Sequence, residues 1–208
     1  MTVAGAVSEP SQALITGVIL AGGQARRMGG LDKGLVELAG KPMVSHVLAA
    51  LAPQVGSLMI NANRNLERYR ALGVRVLEDR LGGYQGPLAG MASALEAIST
   101  PLMLTAPCDA PLLPPDLAQR LYLPLAADHA AEIAVASCGG RLQPVFLLMR
   151  REVLAGLREF LAGGERKIDR WLPRHLWVSV DLSDRLECFA NVNTPEDRAE
   201  LERRLGRS

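Results

Sequence analysis

Short apolar runs alternate with helical segments along most of this chain of 208 residues. Runs bounded by glycine, proline or asparagine predict buried strands, and apolar residues at helical spacing between them predict amphipathic helices. This alternation favours an open, mostly parallel α/β sheet covered by helices on both faces. Gly139 and Gly140 separate two runs closely enough to predict an antiparallel excursion. The predicted strands are residues 18–20, 57–60, 74–77, 102–105, 133–136, 145–149 and 177–180.

The length fits one domain, because domains commonly contain about 100–200 residues. We predict a flexible leader over residues 1–14 and a single domain over residues 15–208, built as a three-layer α/β/α, Rossmann-like sheet. One helix is expected to begin at Pro114 and Pro115 and to stop before Pro124. The last helix is expected to have Thr194 as its N-cap and Pro195 at its first position.

Composition excludes several classes of partner and location. A net charge of +1 and an aromatic content of 4% argue against a nucleic-acid or membrane-surface partner. No apolar run approaches the length of a membrane span, and the first residues lack the basic region of a signal peptide. Three widely separated cysteines fit a reducing, cytoplasmic location. Dinucleotide, P-loop and nucleophile-elbow motifs do not occur, and the three histidines are isolated.

A glycine-rich loop follows the first predicted strand, at residues 20–34. Such a sheet binds its ligand beyond the carboxyl ends of the strands, which is where this loop lies. Glycines let backbone N–H groups approach phosphate oxygens closely. Arg27 can bind two phosphate oxygens at once, and Lys33 adds a compact positive charge. The loop therefore indicates a polyphosphate site, with a solvated glycine-rich turn as the alternative.

Polar residues also follow three later strands. Asn61 and Asp79 offer an amide and a carboxylate, which suit the hydrogen-bonding edge of guanine. Contact with ribose and ordinary polarity at the ends of strands are the alternatives. Asp109 stands between two prolines after the fourth strand, where a carboxylate can hold Mg²⁺ together with phosphate oxygens and water. A turn in which Asp109 bonds its own backbone is the alternative.

The order of these motifs resembles the nucleotidylyltransferases and, more narrowly, the molybdenum cofactor guanylyltransferases. The resemblance covers residues 16–200 and implies a fold of the nucleotide-diphospho-sugar transferase type, with GTP, Mg²⁺ and a molybdopterin acceptor. It implies nucleotide contacts by Leu20, Ala21, Gly22, Gly23, Lys33, Asn61, Asp79 and Asp109, with Asp109 also the metal ligand. The motifs that carry it are Leu20-Ala21-Gly22-Gly23, Ala25 to Leu35, Gly40-Lys41-Pro42, Asn61-Ala62-Asn63-Arg64, Glu78-Asp79, Gly86 to Gly90, Pro107-Cys108-Asp109 and Asn191 to Glu196.

The predicted reaction is guanylyl transfer to the terminal phosphate of molybdopterin, with Arg27, Lys33 and Asp109 as catalytic residues. Candidate acceptor contacts are Pro87, Gln143, Asn191 and Asn193. Some relatives have His-Pro where this chain has Gln143 and Pro144, so a specific role for that position stays open. Transient contact with cofactor-handling proteins or apo-molybdoenzymes is also expected. Two alternatives stay open: a related enzyme that uses CTP or a sugar-phosphate acceptor, and a non-catalytic module that binds GTP or the cofactor.

Overall fold

Seven strands form one sheet in the order β5-β4-β1-β6-β8-β7-β9. The computed structural model describes residues 11–22, 32–79, 86–189 and 195–205. Six of the seven strands run in the same direction, and β8 alone is antiparallel, pairing with β6 on one side and β7 on the other. The strands are β1 (Ile15–Leu20), β4 (Ser57–Asn61), β5 (Arg75–Leu77), β6 (Leu102–Pro107), β7 (Ile133–Cys138), β8 (Arg141–Arg150) and β9 (Trp177–Asp181).

Helices cover both faces of the sheet, which confirms the predicted three layers. Alternate residues of a strand point to opposite faces, so Ile19 of β1 packs in one apolar cluster while Val18 packs in the other. The first cluster includes residues of α1 and α4, and the second includes residues of α3, α5 and α6. The helices are α1 (Met43–Leu51), α2 (Leu66–Arg70), α3 (Pro87–Ala97), α4 (Leu117–Ala127), α5 (Leu154–Ala162), α6 (Ile168–Trp171) and α7 (Pro195–Leu205).

The sheet changes its direction of winding at β1. From β1 the chain moves outward on one side to β4 and β5, and it then returns to form β6 on the other side. Leu20, the last residue of β1, is level with Pro107, the last residue of β6. Ligands of open α/β sheets bind at such a switch point, beyond the carboxyl ends of the strands. The topology therefore marks the ends of β1 and β6 as the place to look for a site.

Two local features differ from the sequence prediction or add to it. Helix α4 continues through Pro124 to Ala127, so the predicted stop is wrong. Leu121 and Leu125 are both buried there, and this packing outweighs the loss of one backbone hydrogen bond. A small hairpin, β2 (Glu37–Leu38) with β3 (Lys41–Pro42), lies between the predicted loop and helix α1 and was not predicted.

The N-terminal boundary of the domain stays a prediction. Residues 1–10 of the expected leader lie outside the described residues. Gln12–Leu14 form a single 3₁₀ turn, and the side chain of Gln12 donates a hydrogen bond to the carbonyl of Pro53 at 2.5 Å. Within the described ranges, no helix is both long and apolar enough to cross a membrane.

Candidate active site

Backbone hydrogen bonds align the ends of the central strands at one edge of the sheet. The N–H of Ala21 donates to the carbonyl of Asn61 at 2.8 Å, and the N–H of Cys108 donates to the carbonyl of Leu20 at 3.1 Å. These bonds extend the pairing of β1 with β4 and β6 by about one residue beyond the strands. Gly22, Asn61 and Asp109 therefore share the edge that contains the switch point.

An amide pair holds the carboxylate of Asp79 from two sides. Asn61 Nδ2 donates to Asp79 Oδ1 at 2.8 Å, and Asn63 Nδ2 donates to Asp79 Oδ2 at 2.7 Å. The N–H of Asp79 donates in return to Asn63 Oδ1 at 2.8 Å. Because a carboxylate has about four lone-pair sites, each oxygen keeps capacity to accept a further hydrogen bond. The cluster therefore presents a fixed acceptor at the end of β5.

The amide of Asn61 is itself fixed by its surroundings. The residue is buried, and Nδ2 also lies 3.4 Å from the carbonyl of Leu77. On its other side, a Cβ added at Gly90 would lie 2.2 Å from Asn61 Oδ1. Helix α3 thus approaches Asn61 so closely that only a glycine fits at position 90.

A lysine and an aspartate pair at the switch point. Lys33 Nζ donates to Asp109 Oδ2 at 3.1 Å, although the two residues are 76 positions apart in the sequence. Their side chains keep 27% and 15% of their surface exposed, respectively. Such a partly buried pair is screened by solvent less than a surface pair. The structure therefore brings together two of the three predicted catalytic residues.

The neighbouring thiol has no features of a nucleophile. Cys108 is buried, and burial, followed by the charge of Asp109, raises the pKa of its thiol well above the usual range. A thiol with a raised pKa is protonated and unreactive near neutral pH. Cys108 therefore serves as a packing residue beside Gly34.

The structure describes only two of the four residues predicted to contact the acceptor, Pro87 and Gln143. Pro87 is the first residue of α3, directly after Gly86, whose φ is +80°. Gln143 lies half-buried near the start of β8, and because β8 is antiparallel, this start is at the edge where β6 ends. Gly23, Arg27, Asn191 and Asn193 lie outside the described residues, as does the predicted cap Thr194.

Two contributions were missed in the sequence analysis. Asn63 was quoted only as part of a motif, yet its side chain donates to the carboxylate of Asp79 and accepts from the backbone N–H of Asp79. Gly90 was likewise quoted without a role, although its missing side chain makes room for Asn61. The clustering of asparagines at positions 61, 63 and 65 is the only signal in the sequence that could have pointed to Asn63.

The architecture is that of the nucleotidyltransferases. A crystal structure of molybdopterin-guanine dinucleotide biosynthesis protein A from Archaeoglobus fulgidus superposes with a TM-score of 0.74 at 22% identity, covering 93% of this chain and all of that one. The cytidylyltransferase for 2-C-methyl-D-erythritol 4-phosphate from Thermus thermophilus superposes with a TM-score of 0.66 at 18% identity, covering 97% of this chain and 100% of that one.

The sequence narrows the class further. A model of the MobA-like NTP transferase domain matches residues 17–178. The molybdenum cofactor guanylyltransferase of Shewanella halifaxensis is 49% identical over 189 residues, covering 91% of this chain and 94% of that protein. The protein of the same name from Shewanella loihica is 51% identical over 187 residues, covering 90% and 95%. The chain therefore belongs to the MobA-like NTP transferase family.

Proposed function

We propose that this enzyme transfers the guanylyl group of GTP to the terminal phosphate of molybdopterin, forming molybdopterin guanine dinucleotide and pyrophosphate. The observation that carries the proposal is the joint presence, at one edge of the sheet, of the Lys33–Asp109 pair and the amide-held Asp79. The Lys33–Asp109 pair suits a triphosphate with its metal ion, and the carboxylate of Asp79 suits a base that donates hydrogen bonds. Identity near 50% with proteins named for this activity supports the same conclusion.

The Asp79 cluster favours guanine over the other bases. Guanine presents two adjacent donors, its N1–H and its amino group, and a carboxylate accepts both. The Nδ2 group of Asn61 already contacts Asp79 and the carbonyl of Leu77. We therefore assign recognition of the guanine donors to Asp79 and assign Asn61 and Asn63 to its orientation. Cytosine lacks a donor at its N3 position and would leave part of the carboxylate unpaired.

Lys33 is assigned to the phosphates. Its ammonium group lies 3.1 Å from Asp109 Oδ2, and a bound triphosphate would offer the same group a denser negative charge. A lysine in this place stabilises the negative charge that develops on pyrophosphate as it leaves. Arg27, from the same loop, is proposed for the same purpose.

Asp109 fits the role of a magnesium ligand. Mg²⁺ usually takes one or two protein carboxylates and completes its shell with phosphate oxygens and water. In the parts of the chain that the structure describes, no three histidine, cysteine or acidic side chains are grouped to hold a metal. A single, largely buried carboxylate therefore suits an ion that arrives with the nucleotide. When bound, Mg²⁺ supplies charge neutralisation at the triphosphate.

The transfer requires little acid–base chemistry. An oxygen of the acceptor phosphate attacks the α-phosphorus of GTP, the bond to the bridging oxygen breaks, and pyrophosphate departs with the electron pair. Because that oxygen is already anionic, positioning and charge stabilisation supply most of the catalysis. Pro87, Gln143, Asn191 and Asn193 are proposed to contact the acceptor.

Location and further partners follow from the same proposal. The three cysteines are free and buried, as is usual in a reducing compartment, and we propose a cytoplasmic enzyme. Transfer of the product to a cofactor-handling protein or an apo-molybdoenzyme is part of the proposal.

Pyrophosphate release tests the function and its alternatives together. The purified protein is assayed with Mg²⁺, with and without molybdopterin, and with GTP, CTP, ATP and UTP in turn. We expect release with GTP alone and only with the pterin present. Release with CTP would replace the base assignment, and release with a sugar phosphate instead of the pterin would replace the acceptor. Binding of GTP without release would indicate a non-catalytic module.

The base assignment has a separate test in Asp79→Asn. The amide keeps the shape of the carboxylate but offers one acceptor oxygen and a repelling N–H₂ group. We expect kcat/KM for GTP to fall by about 10²-fold or more, because a donor of guanine would be left unpaired. Asp128→Asn, an exposed residue before β7 at the opposite edge of the sheet, is the matched control and should keep wild-type activity. An unchanged preference for GTP in Asp79→Asn would contradict the assignment.

A further inference from the structure

The turn that carries Lys33 packs against a tyrosine of helix α2. Tyr69 of α2 is fully buried, and its hydroxyl donates to Asp32 Oδ1 at 2.5 Å. The second carboxylate oxygen of Asp32 accepts a hydrogen bond from Asn65 Nδ2 at 2.9 Å. Asp32 immediately precedes the 3₁₀ turn Lys33–Leu35. Tyr69 and Asn65 therefore both donate hydrogen bonds to Asp32, the residue before Lys33.

The contact also reaches the residue after the lysine. A Cβ added at Gly34 would lie 2.5 Å from Tyr69 Oη and 3.2 Å from Cys108 Cβ. The hydroxyl of Tyr69 thus lies directly against the turn, and Cys108, which precedes Asp109, lies on the same side. Gly34, which follows Lys33, and Cys108, which precedes Asp109, are therefore packed together beside Tyr69.

The hydrogen bond from Tyr69 to Asp32 is expected to persist throughout the neutral pH range. Burial, followed by nearby charges, raises the pKa of the Tyr69 hydroxyl well above its usual range, so the group stays a donor throughout the neutral range. A hydrogen bond to a carboxylate is stronger than one between neutral groups. Asn65 has a φ of +50°, a left-handed conformation that asparagine adopts more readily than most residues.

We propose that Tyr69 is a positioning residue, which acts with Asn65 through Asp32 to fix the Lys33–Leu35 turn and so to direct the ammonium group of Lys33 towards the phosphates. The inference rests on the proposed function, because it requires that Lys33 contact the nucleotide. Without this support the turn would have to be ordered each time a nucleotide binds. The cost would then appear in the reaction rate.

The first test is Tyr69→Phe, which removes the hydroxyl and keeps the ring in the core. We expect kcat/KM for GTP to fall about tenfold or more, the fold-change that matches the loss of one hydrogen bond to a charged group. Tyr122→Phe, a tyrosine on α4 that is partly buried against the same apolar cluster, is the matched control. It should keep wild-type kcat/KM. Thermal unfolding of both variants reports whether the fold survives.

The decisive measurement combines the change with Lys33→Ala. If Tyr69 acts through Lys33, removing its hydroxyl from the Lys33→Ala protein should cause no further loss of kcat/KM, because residues that act as a unit are not additive. An equal loss in both backgrounds would indicate general support of the fold and would overturn the inference. Full activity of Tyr69→Phe, with Lys33→Ala impaired, would overturn it while leaving the proposed function intact. Full activity of Lys33→Ala would remove the proposed function of that residue and the inference with it.

Asn65→Gly gives a second route if Tyr69→Phe does not fold. Glycine tolerates the left-handed backbone conformation, and residue 65 is exposed, so the fold should not depend on the amide. We expect a smaller loss of kcat/KM for GTP, about threefold to tenfold, that again disappears when Lys33 is absent. An Asn65→Gly protein with unchanged kcat/KM would contradict a positioning role for the hydrogen bond from Asn65 to Asp32.

Discussion

Gly90→Ala tests whether the close approach of α3 fixes the Asp79 cluster, which we propose to bind the base. The added methyl group would lie 2.2 Å from Asn61 Oδ1, so either the amide or the helix has to move by about 1 Å to restore a normal contact. Asn61 is buried and already bonded to Asp79. A displacement of this size near the substrate can lower a rate by about 10²-fold.

The free energy of unfolding contains two opposing contributions. Alanine in the middle of a helix is more favourable than glycine by about 1 kcal/mol. Overpacking a rigid interior costs about 1–3 kcal/mol. The added methyl group would clash with Asn61 Oδ1, and Asn61 is bonded to Asp79 through Nδ2. We therefore expect the cost of overpacking to exceed the gain in helix propensity. The variant should be less stable than the wild type by up to about 2 kcal/mol.

Gly156→Ala is the matched control, since this glycine also lies within a helix, α5. Its added Cβ would have His175 Cε1 as its nearest neighbour at 3.6 Å, an ordinary contact. We therefore expect this control to be more stable by about 0.5–1 kcal/mol, with unchanged activity. Urea denaturation measures the stability of both variants, and pyrophosphate release against GTP concentration measures their KM and kcat.

The reasoning would be refuted by a Gly90→Ala protein that gains stability as the control does and keeps the KM for GTP. Such a result would mean that Asn61 moves away without consequence, and that its placement beside Asp79 does not depend on α3. Loss of stability without any change in KM or kcat would refute only the functional half of the argument, because the strain would then be absorbed away from the cluster.

Two further predictions concern Asp109 and the three cysteines. Asp109→Ala should lower kcat for pyrophosphate release by 10²-fold or more at saturating Mg²⁺ while the protein remains folded, as measured by activity over a Mg²⁺ titration and by thermal unfolding; full activity would contradict the metal assignment. The three cysteines should resist a thiol reagent in the native protein and react in denaturant, because burial raises the pKa of Cys108, Cys138 and Cys188; a colorimetric thiol titration at pH 7.5 checks this, and rapid labelling of Cys108 in the folded protein would contradict it.

Most of the fold could be predicted because its signals are local. Short apolar runs alternating with helical segments mark the strands of the sheet, and the rule that ligands bind at the carboxyl ends of parallel strands indicates Asn61, Asp79 and Asp109 as site residues. The small hairpin of β2 and β3 has only two residues in each strand, too few to create a periodic pattern. The continuation of α4 through Pro124 depends on burial against other elements, which a local rule does not contain.

The roles of Asn63, Tyr69 and Gly90 could not be predicted for a different reason: their partners are distant in the sequence. Asn63 meets Asp79 sixteen positions away, and Tyr69 meets Asp32 thirty-seven positions away. Nothing in the local pattern distinguishes Tyr69 from an ordinary core residue of α2. Gly90 sits in a helix, where a glycine has no evident purpose until Asn61 is seen against it.

The connection between β4 and α2 links the two halves of the proposed nucleotide site. Asn61, Asn63 and Asn65 each donate through Nδ2 to a carboxylate, the first two to Asp79 and the third to Asp32. An aspartate at any of the three positions would place two negative charges less than about 3 Å apart, which is unfavourable. Serine would be too short to span the same distance. This short segment therefore presents amide donors to two acidic groups, Asp79 on the proposed base side and Asp32 on the proposed phosphate side.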